Sequence, residues 1–130
     1  DPDLDDRESG AVAPRAAAYI PFGYISEPQH RIEVYRKLAQ AQEKTALEQI
    51  RNELVDRFGR MPEAIDRLLQ ITELKILGSE RGVGAIETNG DKLMLTRNND
   101  FITLGGKFPR LTKRDAKGRI HEIKKLLLAL

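Results

Sequence analysis

The sequence predicts an α+β fold: an extended N-terminal segment, a three-helix cluster, a small antiparallel sheet and a C-terminal helix. Apolar residues recur at helical spacing from Ile32 to Leu77 and again from Ile120 to Leu130, the pattern of helices with one buried face. Between these stretches the pattern shortens to runs of β-branched and apolar residues broken by turn formers, the pattern of short strands. Helices and strands occupy separate parts of the chain, which argues against an alternating parallel-sheet fold.

The chain has 130 residues, 40% of them hydrophobic and 32% charged, which suits one globular domain with a heavily charged surface. A chain of this length can bury about two-thirds of its unfolded surface.

Residues 1–18, rich in acid, Pro, Gly and Ala, read as a linker ahead of a domain spanning 19–130. The run from Tyr19 to Ile25 reads as an edge strand or two extended pieces, because Pro21 lacks an N–H and Gly23 favours a bend. The first helix starts near Pro28, with Ile32, Tyr35, Leu38 and Ala39 as its buried stripe. The second follows a break near Lys44–Thr45. Thr45 and Glu48 have the spacing of a capping box, and Leu47, Ile50, Leu54 and Phe58 form the stripe.

Gly59 ends that helix as a left-handed C′ residue, and Pro62 opens the third, so Phe58–Pro62 is a tight corner anchored by Phe58. The third helix is expected from about Pro62 to Leu77, with Gly78, Gly82 and Gly84 ending the helical region. Its arc of Ile65, Leu68, Leu69, Ile71 and Ile76 is wide, with Leu74 and Leu77 on the other side, which marks a central helix. Leu47, Ile50, Leu54, Phe58, Ile65, Leu68, Leu69 and Ile76 are expected to share one core. Strands follow at Gly84–Thr88, Lys92–Thr96 and Phe101–Leu104, with Asn89-Gly90 as a hairpin signal and Lys107–Thr112 as a fourth extended piece. The last helix begins near Arg114, with Ile120, Ile123, Leu127 and Leu130 on one face.

Signs of catalysis are scarce. No phosphate-binding loop with Gly-Lys-Ser/Thr is present. Gly82-Val83-Gly84 has two of the three glycines of a dinucleotide fingerprint and follows a helix, so it reads as a loop into a strand. His30 and His121 lack neighbours at metal-ligand spacing, and no nucleophile accompanies either. The helix carboxylates alternate with Lys and Arg, as in Glu53–Arg57, and read as a solvated face of ion pairs. There is no cysteine, hence no disulfide or thiolate site, and no apolar run long enough to span a bilayer. These features suit a cytoplasmic interaction domain that is not itself an enzyme and needs no cofactor or metal.

Charge is uneven. Residues 97–130 carry nine Lys and Arg against three acids, a surplus of six, while the whole chain is only +2, so the rest is four negative. The basic run at 107–119 has one aromatic, Phe108, where single-strand platforms want several. It reads as a solvated surface or a patch for an acidic protein, with nucleic acid as the alternative partner.

Tyr19-Ile20-Pro21-Phe22-Gly23-Tyr24-Ile25, then Arg31 to Ala39, then Glu53 to Pro62 and Leu68-Leu69 succeed one another in an order that resembles the C-terminal domain of bacterial transcription-repair coupling factors. The resemblance covers about residues 19–80 and departs at Phe22-Gly23, where the family often has an acid after Ile-Pro. It implies a regulatory C-terminal domain of a large ATP- and Mg-dependent DNA translocase. That parent releases RNA polymerase stalled at lesions and recruits UvrA for nucleotide excision repair. The resemblance also implies an autoinhibitory contact with an N-terminal UvrB-like module that masks its UvrA-binding surface. DNA would be met through the parent's motor, and the opening at Asp1 rather than Met suggests an excised domain. An interface that must open again is expected to be partly polar. Arg57, Arg60, Arg110, Lys113 and Arg114 are its candidate residues.

Overall fold

A computed structural model describes residues 18–130; the expected linker, apart from Ala18, lies outside the described residues. Helices α1 (Pro28–Gln40), α2 (Lys44–Phe58) and α3 (Glu63–Glu80) precede strands β1 (Val83–Asn89), β2 (Lys92–Arg97) and β3 (Asp100–Phe101), and α4 (Ala116–Ala129) follows. The sheet is antiparallel in the order β1-β2-β3. This is the expected α+β order.

The run Tyr19–Ile25 forms a turn, not a strand. The N–H groups of Tyr24 and Ile25 both donate to the Pro21 carbonyl, at 3.0 and 3.2 Å. The turn buries Ile20 and Ile25 completely and leaves Phe22 70% exposed. Pro28 does sit in the first turn of α1, but the buried face is Val34 and Leu38. Ile32 and Tyr35 are 57% and 40% exposed and Ala39 is exposed too, so only Leu38 of the expected stripe is in the core. Val34 and Leu38 are one turn apart, and α2 and the Ile20–Ile25 turn cover that side.

The capping box does not form. Glu43 is the N-cap residue of α2, and the Thr45 hydroxyl lies 3.3 Å from its carboxylate. Gly59 does end α2, with φ 88° and ψ −161°. That conformation is not the left-handed helical one, but its positive φ still favours glycine. Pro62 is the N-cap of α3, whose helical residues start at Glu63.

Gly78 does not stop α3, which continues to Glu80. Gly78 is instead a close-packing position: a Cβ there would meet Ile86 Cδ1 at 3.3 Å and Val83 Cβ at 3.4 Å. The strands after it thus lie tight against the helix.

Two hydrophobic clusters replace a single core, and α3 serves both. With about 3.6 residues per turn, Ile65, Leu69 and Ile76 share one face and Leu74 lies opposite. The first face joins Ile20, Ile25, Val34, Leu38, Leu47, Ile50 and Leu54, with Phe58 and Leu68 packed alongside, so the expected helical core does assemble. Leu74 joins Val83, Leu93, Leu95, Leu111, Ile120, Ile123 and Leu127. Ile71, expected with Ile65, packs on this second cluster together with Leu77.

The β1–β2 hairpin falls where Asn89-Gly90 placed it, but the turn centres on Gly90-Asp91, because Asn89 pairs with Lys92. Asn98 and Asn99 both have positive φ, 55° and 63°, and close the second hairpin between Arg97 and Asp100. β3 has only two residues, fewer than the expected Phe101–Leu104. A loop closed by the Leu104–Lys107 bridge interrupts it, and Gly105 and Gly106 there both have positive φ. The edge then resumes. Lys92 bridges Arg110, the Leu93 N–H donates to Pro109 at 2.9 Å and the Leu111 N–H donates to Asp91 at 2.7 Å. The expected fourth extended piece is therefore an edge segment that delivers Leu111 to the second core. α4 starts after Asp115, whose carboxylate accepts the Gly118 N–H at 3.0 Å. Leu130 is 40% exposed and not part of the buried face, which ends at Leu127.

Candidate interaction surface

Two charged surfaces carry the expected interface residues. The first lies at the end of α2. The Tyr24 hydroxyl bridges the carbonyls of Leu54 and Gly59 at 3.1 and 2.7 Å, fastening the N-terminal turn to the helix corner. Its ring and that of His30 flank Phe58, at centroid distances of 5.8 and 6.0 Å. Burial holds the Tyr24 phenol above its ordinary pKa.

Arg57 belongs to an ion network between α1 and α2. It lies 3.6 Å from Glu53, the expected pair, and 3.9 Å from Glu33, with its guanidinium 5.0 Å from the Phe58 ring centre. Lys37 donates to both Glu53 oxygens at 3.0 Å and lies 3.2 Å from Glu33. The hydrogen bond to Glu53, then that to Glu33, holds Lys37 above the usual lysine pKa. The Lys37 hydrogen bond in turn holds Glu33 below the carboxylate range. Arg57 is therefore engaged in bracing two helices. Arg60 is exposed and makes no ion pair among the described residues. Beside this corner, Phe22 stands under the Arg31 guanidinium at 4.2 Å, and Phe22, Ile32 and Tyr35 are all exposed.

The second surface is basic and gathers around the start of α4. The run at 107–119 is not a continuous track of free cations. Arg110 pairs with Asp91 at 2.7 Å, and Arg119 donates to the Gly90 carbonyl at 2.7 Å. Phe108 packs edge-on to Phe101 at 5.3 Å, with the Lys92 ammonium 4.8 Å from its ring centre. Lys113 and Arg114 are exposed and form no ion pair among the described residues.

The structure thus divides the five expected interface residues, Arg57 and Arg60 on the helical corner and Arg110, Lys113 and Arg114 on the sheet side. No ion pair or hydrogen bond joins the two sets among the described residues.

Glu122 escaped the sequence reading. Its carboxylate accepts the Thr112 N–H at 3.0 Å, the Lys113 N–H at 2.7 Å and the Thr112 hydroxyl at 2.8 Å. The Thr112 and Lys113 backbone bonds hold its pKa below the usual range. This latch fixes the backbone that carries Lys113 and leads to Arg114. Its partners lie nine and ten residues back, before the start of α4, a separation with no sequence signature. Asp115 was also missed, although an Asp directly before a helical stretch is a recognised cap signal. Lys117, His121 and Lys124 join Lys113 in a cleft of about 460 Å³ between α3 and α4, lined also by Gln70, Glu73, Asp115, Gly118 and Ile120. Among the described residues no group of His, Cys, Asp and Glu has the arrangement of a metal site. No helix among them is long and apolar enough to cross a membrane.

The sequence model of the TRCF domain family matches residues 15–103. The transcription-repair-coupling factor of Staphylococcus haemolyticus is 38% identical over 76 residues, 58% of this chain and 6% of that protein. The same-named protein of Staphylococcus epidermidis (strain RP62A) is 35% identical over 94 residues, 72% of this chain and 8% of that protein. That of Haemophilus influenzae is 35% identical over 79 residues, 59% of this chain and 7% of that protein. The chain thus spans less than a tenth of the length of these relatives. Its fold is that of a crystal structure of the C-terminal domain of a transcription-repair coupling factor. The TM-score is 0.68 at 24% identity, covering 87% of this chain and 88% of that one.

Proposed function

The chain belongs to the TRCF domain family, and on that premise we propose that it is the regulatory C-terminal module of a transcription-repair coupling factor and is not itself catalytic. The family match over residues 15–103 carries this reading. In it, the parent is a cytoplasmic, ATP- and Mg-dependent DNA translocase that releases lesion-stalled RNA polymerase and recruits UvrA. This module rests on a UvrB-like N-terminal module of the same protein and masks its UvrA-binding surface.

The character of the two surfaces supports a contact that can open. The surface around α4 is polar and cationic, the α2 corner is a balanced ion network with Arg60, unpaired among the described residues, two residues past the helix, and the large leucine and isoleucine side chains are largely committed to the two internal clusters. Interfaces within a chain that must separate are of this more polar kind. Arg60, Lys113 and Arg114 are its best candidates, because Arg57 and Arg110 already hold internal partners.

The test is a UvrA binding titration with the coupling factor that carries this chain, intact and lacking residues 19–130. Masking predicts tighter binding by the truncated form, by tenfold for each ~1.4 kcal/mol of closure released. Equal affinities overturn the masking role. Binding of DNA by this chain itself, the alternative, would show instead as a steep loss of DNA affinity with salt.

A further inference from the structure

We propose that the cleft between α3 and the first turns of α4 receives an acidic peptide segment of a protein partner, whose carboxylates pair with the Lys113 and Lys117 ammonium groups. The proposal concerns the ligand class of one cleft and does not depend on masking of UvrA.

The local charges show why the cleft attracts acid. Its two carboxylates are already engaged. Glu73 lies 3.2 Å from Lys124 and 3.8 Å from Lys44. Asp115 caps the Gly118 N–H. Glu122, just outside, directs both oxygens to the Thr112 and Lys113 backbone. Lys113 and Lys117 line the same cleft and have no carboxylate within ion-pair distance among the described residues. Arg114, also without such a partner, lies between them in sequence. Lys113, Lys117 and Lys124 against Glu73 and Asp115 leave the cleft lining one positive charge in excess, at a helix N-terminus, where the backbone adds a field of the same sign.

Lys113 is also held in place. Its backbone N–H is fixed on Glu122 at 2.7 Å. Its stem crosses α4 at Gly118, where a Cβ would come within 2.8 Å of Lys113 Cβ and 2.9 Å of its Cγ. Glycine at 118 is thus what lets the lysine lie over the helix. An ammonium group anchored this way loses less freedom on pairing than a lysine on a free surface.

A peptide fits better than a nucleic acid. Arg110 and Arg119 are drawn off by Asp91 and Gly90, which separates Lys107 from Lys113, Arg114 and Lys117 and interrupts a track for successive phosphates. Phe108, the aromatic of this run, is already engaged by Phe101 and the Lys92 ammonium.

The experiment is an NMR titration of the ¹⁵N-labelled 130-residue chain with capped hexaglutamate and, separately, with a single-stranded oligonucleotide. The expected result is salt-sensitive shifts centred on Lys113, Arg114, Lys117, Gly118 and His121. K113E/K117E should weaken peptide binding roughly tenfold, as expected for two exposed ion pairs replaced by repulsion. R36E, an exposed residue of α1 outside the cleft, should leave it unchanged. Glutamate keeps the Cβ and Cγ that pack on Gly118, and K113Q/K117Q, which adds no charge beside Glu122, should weaken binding in the same direction. The proposal is overturned by peptide shifts centred elsewhere, by no shifts, by undiminished binding to K113E/K117E, or by tighter binding of the oligonucleotide at this cleft.

Discussion

The hydroxyl of Tyr24 lies 2.7 Å from the carbonyl oxygen of Gly59, thirty-five residues along the chain. Gly59 has a positive φ of 88°, and its carbonyl is turned back toward the N-terminal turn. One side chain thereby fastens the Ile20–Ile25 turn to the corner between α2 and α3.

Removing that hydroxyl tests the fastening. Tyr24→Phe keeps the ring against Phe58 and should lower stability by about 1 kcal/mol, the net worth of a typical hydrogen bond. Burial raises the Tyr24 pKa, so its contribution is full below the ordinary tyrosine value and is lost as pH rises through the folded one. Urea unfolding at neutral and at strongly alkaline pH should therefore show the variant and parent converging at high pH. A gap that stays constant would assign the effect to packing.

Phe58 anchors the same corner, but from a half-buried position between Tyr24 and His30. A fully buried phenylalanine costs about 3–5 kcal/mol on truncation to alanine. Partial exposure should bring Phe58→Ala nearer ~2 kcal/mol, read from the denaturation midpoint with an unchanged slope. A variant as stable as the parent would mean that the ring adds nothing to the corner.

Glu122→Gln should loosen the segment that enters α4. The amide keeps one acceptor and loses the charge, which should cost about 1 kcal/mol at neutral pH. Backbone donors depress the pKa of Glu122 in the folded state. Its contribution is therefore present above the unfolded carboxyl value and fades as pH falls through the lower folded one. Parent and variant should differ at pH 7 and converge in acid. Hydrogen exchange at Lys113 should quicken in the variant at pH 7, and unchanged exchange there would count against the latch.

Gly118→Ala sets two effects against each other. Helix propensity favours alanine by about 1 kcal/mol. The new methyl would stand 2.7 Å from Asp115 Oδ1 and 2.8 Å from Lys113 Cβ. Such overlap typically costs about 1–3 kcal/mol, so the net change should be destabilising. Thermal unfolding decides the sign, and a stabilised variant would show that Lys113 can move aside freely.

The sequence by itself determined the α+β order, the buried faces of α2 and α3, the break at Gly59 and the place of the first hairpin. Each rests on local rules, side-chain period or backbone freedom, that act within a few residues. Tertiary structure alone decided which face of α1 is buried, because the stripes Ile32–Tyr35 and Val34–Leu38 are similarly apolar. The Ile20–Ile25 turn and α2 cover only the second. It also carried α3 through Gly78, where a missing Cβ lets β1 pack closely, and so divided the interior into two clusters on opposite faces of one helix. The candidate surface follows the same division. That Arg110 is ion-paired while Lys113 and Lys117 are not depends on where Asp91, Glu73 and Glu122 arrive in space. Ion pairs between residues far apart in sequence leave no period to read, since charge acts through distance and not through order along the chain.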